Sequence, residues 1–245
     1  MKALNDKLEM FLRMLMAGDK EGIKSIIRYR LSMEETCLQM RREAGLPLGT
    51  YGSSNGLNIK QLSGQTLIDA LNDAEKKTAQ ERLWFERRRR LVTYRIGRCY
   101  VSFDEKTRPC HFQWIYDSND NEILEAHFEG EYPRIGPEEV VLEHALTLQS
   151  SRSRGIHEIA RSKIFDMEVR NYGIKQFISF INPQNVPAMR AALHQGFVPV
   201  GIRRERWFLF RHRFVFEDIN EIGKNRTIVD PAMGKLSELV HPGKR

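Results

Sequence analysis

The pattern of apolar and polar positions opens helical and becomes β-rich from Leu91 onward. Leu4, Leu8, Phe11, Leu12 and Leu15 recur at helical spacing over residues 2–17, and Gly18-Asp19 ends that run. Ile23, Ile26, Ile27, Leu31, Met33 and Leu38 predict a second helix from Lys20 to Ala44, closed by Gly45. Residues 46–58 (LPLGTYGSSNGLN) are rich in Gly, Ser and Asn and read as a mobile loop. A third helix is expected from Gly64 to Arg90. Its closing Arg87-Arg88-Arg89-Arg90 run suits the negative end of a helix dipole.

The strand signals follow. Val92–Tyr94, Arg98–Phe103 and Cys110–Tyr116 are β-rich, and Asp104–Arg108 forms a polar turn. Asp117–Asn121 reads as another turn, Glu122–Phe128 as a further strand, and residues 132–137 as an irregular connection. Val140–Gln149 is nearly continuously strand-like, as expected in the middle of a sheet. A helix over 155–171, a strand over 176–181 and a helix over 186–195 come next. Two last strands, Phe197–Arg203 and Trp207–Glu217, are joined by a short charged turn. The tail 218–245 reads as loosely docked, and no internal repeat is visible.

A length of 245 residues suits one domain with an appendage, and 41% hydrophobic with 29% charged residues is globular. A formal charge of +7 and a pI of about 9.4 favour anionic partners. A CoA-like coenzyme, an acidic carrier protein and nucleic acid all qualify, as does a merely solvated basic surface. Cys37, Cys99 and Cys110 fit a reduced, cytoplasmic protein better than a disulfide framework, and they lack metal-ligand spacing. No apolar run approaches the roughly 20 residues of a membrane span. Asp6, Lys7, Glu9 and Arg13 interrupt residues 1–17, which read as an amphipathic helix rather than a signal peptide.

The chemistry concentrates in residues 150–197. Arg152-Ser153-Arg154-Gly155 is an Arg-x-x-Gly turn that opens into a helix. A helix start presents free N–H groups and the positive end of the dipole, and so attracts phosphate. A strand, Asn185, a helix and Gly196-Phe197 follow in order. This stretch resembles the acyl-CoA-binding half of the GNAT superfamily of N-acyltransferases, over roughly residues 92–216. Asn185 and Gly196 stand at the family's spacing, while His157 replaces the last small residue of its phosphate motif.

The resemblance implies an α/β (α+β) fold with a mixed, mostly antiparallel central sheet flanked by helices. Residues 61–217 would form the acyltransferase domain, 1–60 an N-terminal helical extension and 218–245 a tail. The extension would cap the site, form a homodimer interface or bind a partner, and nothing local chooses among these. Acetyl-CoA or another acyl-CoA would be the co-substrate, with no metal. Arg152, Ser153, Arg154, Gly155, Ile156 and His157 would wrap its pyrophosphate. Leu146, Thr147 and Leu148 would offer backbone amides to its pantetheine arm, with Asn182 facing the same cleft. Asn185 would cap the last helix and also bind the coenzyme.

Two residues are candidates for proton transfer. Glu143 lies on the central strand, on the face of Val141, Ala145 and Thr147 by alternation, with His144 opposite. A carboxylate there is costly, which argues for a general base; a salt bridge to an arginine is the alternative. The family's usual general-acid Tyr is Ala192 here, and His194 is the nearest titratable substitute. Arg204, Arg206 and Trp207 belong to a basic-aromatic hairpin that would border the acceptor pocket; core packing and a nucleic-acid surface are alternatives.

The leading expectation is transfer of an acyl group, acetyl first, from acyl-CoA to a primary amine by direct attack. A module of the same fold that senses acyl-CoA or binds nucleic acid is the rival. A third reading is a long-chain N-acyl amino acid synthase fed by CoA or by acyl carrier protein.

Overall fold

The computed structural model describes residues 32–47, 56–74, 78–208 and 211–219. The strands are β1 (Ser32–Glu43), β2 (Asn58–Leu62), β3 (Arg98–Phe103), β4 (Pro109–Tyr116), β5 (Glu139–Thr147), β6 (Gln176–Ile181), β7 (Val198–Phe208) and β8 (Arg211–Asp218). The helices are α1 (Gly64–Asp73), α2 (Ala79–Thr93), α3 (Asn121–Phe128), α4 (Ile156–Tyr172) and α5 (Val186–His194). The strands form one eight-stranded sheet in the order β2-β3-β4-β5-β6-β1-β7-β8. Every neighbouring pair is antiparallel except β5–β6.

Strand alternation divides the core between two faces. On one face, Leu71 of α1, Phe85 of α2 and Leu124 of α3 pack with Val101, Phe112, Trp114, Val141 and Ile178. On the other, Ile164 and Phe165 of α4 and Met189 of α5 pack with Tyr100, Ile115, Leu142, Phe177 and Leu38. A buried ionic cluster ties α4 to β3. Glu168 accepts from Tyr100 Oη at 2.7 Å and from Arg98 Nη2 at 2.7 Å, and Arg98 also bonds Asp117.

The helix expected from Lys20 to Ala44 is overturned over its second half, where residues 32–43 are strand β1, inserted between β6 and β7. Residues 1–31, including the first expected helix, lie outside the described residues. The reason for the difference is the period of burial. Leu38, Met40 and Arg42 are all buried, at a spacing of 2.0. Counting Arg42 as polar hides that alternation. Its guanidinium is held by hydrogen bonds, with Nε donating to Gln195 O at 2.6 Å at the carbonyl end of α5.

Other boundaries also move. The helix expected over Gly64–Arg90 is two helices, with the second starting at the Thr78–Glu81 capping box and running through Thr93. Part of the expected loop is β2, while residues 48–55 lie outside the described set. Residues 121–128 are helix, not strand, because Asp117 and Asp120 cap the preceding turn. The expected charged turn at 204–206 lies inside β7. Arg204 and Arg206 there pair across the sheet with Glu34 of β1, and Arg204 also with Glu217 of β8. Residues 220–245, nearly all of the expected tail, lie outside the described residues.

Because β1 is an interior strand, Leu38→Ala should cost about 2–5 kcal/mol in urea unfolding. Deletion of residues 1–43 should abolish the cooperative transition altogether, whereas an independent extension would leave it intact.

Candidate functional site

The site originates where two parallel strands part. The β5–β6 ladder runs from Glu139↔Gln176 to Leu142↔Ser179 and stops. Ser179 Oγ donates to Leu142 O at 3.2 Å at that last rung. Beyond it β5 stays paired with β4 but carries a bulge, because Trp114 faces Glu143 while Phe112 faces Leu146. His144 takes φ +55° there, a left-handed conformation that a non-glycine residue adopts only under constraint. Gln113 Nε2 donates to the Glu143 carbonyl at 2.8 Å and holds the bulge. The separated strands open a cleft of about 1040 Å³.

One end of this cleft lies against the start of α4. Thr147, Ser151, Arg152, Ser153, Gly155, Ile156 and His157 line it together with Asn182 and Asn185. Gly155 has φ +67° and precedes α4, whose first turn has no side-chain cap, leaving N–H groups available. A Cβ at Gly155 would meet no atom within 4 Å, so the backbone angle, not crowding, calls for glycine. Arg152 Nε donates to Thr147 O at 3.1 Å, and buried Glu81 accepts the Gln149 N–H at 2.8 Å, which anchors the turn to α2. Below the turn, Thr147 Oγ1 lies 2.9 Å from His111 Nδ1, and His157 stacks edge-on against His111. Burial, reinforced by nearby Arg161, holds both imidazoles below their usual range, His111 at about 3, so both are neutral.

At the other end lie Trp84, Arg88, Gln113, Glu143 and His144. The Glu143 side chain is 15% exposed. Burial raises its pKa to about 7; Arg203 pulls it down, Glu131 pushes it up and Arg88 pulls it down again. Among the described residues its Oε1 accepts no hydrogen bond. His144 Nδ1 is 3.8 Å from Glu143 Oε2, and burial holds this imidazole neutral, so the pair is not an ion pair.

The bulge also corrects the expected parity. His144 lies against Tyr116 and Phe128, on the α2–α3 side rather than on the face opposite Glu143. Leu146 packs on that same side, while Thr147 bonds His111 and does not share the face of Glu143.

Most of the sequence-predicted residues meet in the cleft, and some do not. Leu148 is buried in the core, Arg154 is exposed outside the lining, and His194 is exposed on α5 away from it. Arg204 and Arg206 are engaged with Glu34, and Trp207 Nε1 donates to Glu205 at 2.6 Å; none of the three lines the cleft. Asn185 caps α5 by accepting the Ala188 N–H at 3.3 Å, and Asn182 Nδ2 donates to Glu35 at 3.2 Å. Trp84, Arg88, Gln113 and Ser179 line the cleft without having been singled out in the sequence. The Arg87–Arg90 run was the available signal, but helix phase against the sheet decides which arginine turns inward.

No family model matches the sequence, and no curated protein matches it. Among solved structures, the chain is similar to a GCN5-related N-acetyltransferase from Kribbella flavida, at 12% identity and a TM-score of 0.43, over 81% of this chain and 64% of that one. It is similar to a tandem GNAT protein from the clavulanic acid biosynthesis pathway, at 9% identity and a TM-score of 0.49, over 80% and 56%. A putative GNAT-family acetyltransferase from Novosphingobium aromaticivorans matches at 18% identity and a TM-score of 0.44, over 70% and 63%. The chain spans 56% to 64% of the length of these three structures.

The raised pKa of Glu143 has a stability consequence. The folded state favours the protonated acid, so stability contributed below the unfolded value of 4.5 is lost as pH rises toward about 7. Glu143→Gln should therefore melt at a higher temperature than wild type at pH 8. The gap should close near pH 4.5 when followed by circular dichroism.

Proposed function

We propose that the chain is an N-acyltransferase that moves an acyl group, acetyl first, from acyl-CoA to a primary amine. One observation carries this reading: a single cleft joins an uncapped helix start behind Gly155 to a carboxylate, Glu143, whose pKa is near neutral. The first suits a pyrophosphate and the second suits a general base. The sequence resemblance supplies the same pairing independently.

In this reading the pyrophosphate lies against the turn at residues 152–157. The pantetheine arm runs between β5 and β6, where the ladder has ended and β5 presents backbone groups to the cleft. The amine nitrogen attacks the thioester carbonyl and Glu143 takes its proton. The tetrahedral oxyanion is stabilised by β5 amides, and the C–S bond then breaks to release CoA thiolate. With Ala192 at the family's Tyr position and His194 exposed, no side chain is assigned as general acid. A thiol of pKa about 8.5 leaves unaided. The three cysteines are free and buried, which supports a reducing, cytoplasmic setting.

The primary test is calorimetric titration of acetyl-CoA against acetyl-pantetheine, which lacks the pyrophosphate. Micromolar binding of the first, weakened about a hundredfold or more in the second, is the expected result. Equal or absent binding of both would sink the coenzyme assignment.

The base makes a second prediction. The value of kcat/KM should fall about tenfold per pH unit below about 7, where Glu143 is protonated. Glu143→Gln should lower the rate by about 10²–10⁴ and flatten that limb in a thiol-release assay.

A further inference from the structure

At the end of the cleft near Glu143 lies a cation that, among the described residues, has no hydrogen-bonded or ion-paired partner. Arg88 lines the cleft half-buried on α2, with its guanidinium 5.3 Å from the Trp84 ring centroid. Among the described residues it makes no hydrogen bond or salt bridge, and its Nε is covered. Arg203, on the same side of the sheet, is different: its Nη1 is 3.6 Å from Glu131 Oε1 and donates to Glu131 O at 3.2 Å. Burial lowers the pKa of Arg88 and raises that of Glu143; each charge favours the other, but burial outweighs that attraction at both groups.

The neighbours of Arg88 are suited to an oxyanion. Among the described residues, Tyr116 Oη and His144 Nε2 are buried without a hydrogen-bond partner; His144 lines the cleft, where a neutral imidazole can donate, and Tyr116 lies behind it. The guanidinium fork matches a carboxylate or phosphate through two parallel hydrogen bonds. The coenzyme's phosphates do not need this arginine. Their turn lies beyond Thr147, and residues 143 to 147 span roughly 13 Å at strand rise.

We propose that the acyl acceptor is a small amine that also bears an oxyanion, the pattern of an amino acid, with Arg88 holding the oxyanion and Glu143 facing the amine. This rests on the acyltransferase reading above and narrows its acceptor. The Trp84 ring beneath the guanidinium and Arg88 itself both line the cleft, so the cation–π contact holds the positive charge at the cleft wall. A neutral amine would cover the half-buried Arg88 without giving it a hydrogen-bonded partner, a penalty against the wrong acceptor as well as a contact for the right one.

Matched acceptors test this: amino acids, their carboxamides, the amines lacking the carboxylate, and aminoalkylphosphonates. Each is assayed by thiol release with acetyl-CoA and with a long-chain acyl-CoA. The expected result is kcat/KM at least about tenfold higher for oxyanion-bearing acceptors than for neutral counterparts. The carboxylate and phosphonate arms identify which oxyanion is used. Arg88→Gln should erase the preference by raising KM for those acceptors, while the Kd for acetyl-CoA stays within about twofold; Arg88→Lys should restore part of it. Neutral acceptors matching the others in wild type, or a preference that survives Arg88→Gln, would overturn this inference alone. Acyl-CoA binding with no turnover of any acceptor would overturn the acyltransferase reading and this inference with it. Failure of wild type to bind acyl-CoA would overturn the acyltransferase reading and this inference with it.

Discussion

Everything at the cleft depends on where one hydrogen-bond ladder ends. The parallel β5–β6 pairing stops at Leu142↔Ser179, and each strand then follows its other neighbour. Parallel strands buried under helices on both faces normally stay paired, because unpaired backbone groups in a core are costly. Here β4 holds β5 through a bulge, and β1 holds β6 through an antiparallel register that extends to Leu38↔Ile181. The separation is thus enforced from both sides, and the free edge of β5 becomes a surface that a ligand's amide groups could occupy.

The interior placement of β1 explains why such a split can be tolerated. A sheet that opened in its middle without a strand on the far side would lose its second half. Through β1, the β7–β8 hairpin is joined to β6 by backbone bonds and by buried Leu38 and Met40. The same strand introduces Arg42 into the core, where it donates to carbonyl groups at the end of α5, at the last residue of β1 and at Leu46 just beyond it. The buried charge does two things: it closes α5 and fixes the exit of β1.

The two ends of the cleft use burial differently. At the turn, burial and Arg161 keep His111 and His157 neutral, so positive potential comes from backbone dipoles and arginines rather than from imidazolium. At Glu143, burial dominates over two nearby arginines and brings a carboxyl group close to neutral pH. A pKa near the working pH is what proton transfer needs, and the destabilisation that accompanies it is the usual cost of a poised acid or base.

Local chemistry was legible in the sequence wherever neighbours in the chain decide the outcome. The turn before α4, the capping Asn185, the strand 176–181 and the two helices around it depend on glycine torsion, side-chain capping and short-range periodicity, and all of these are written in consecutive residues. Glu143 could be singled out because a carboxylate in an apolar strand is itself anomalous. The tertiary structure alone decided three things. Residues 32–43 became a strand because β6 and β7 supply partners on both edges, and Arg42 could be buried only because a distant helix end accepts it. The bulge reversed the side-chain parity after Glu143, since one extra residue against β4 cannot be read from β5. Arg88, rather than Arg204 or Arg206, faces the cleft. Charge composition is a property of the chain, but the direction and pairing of each charge are set by the strands and helices packed around it.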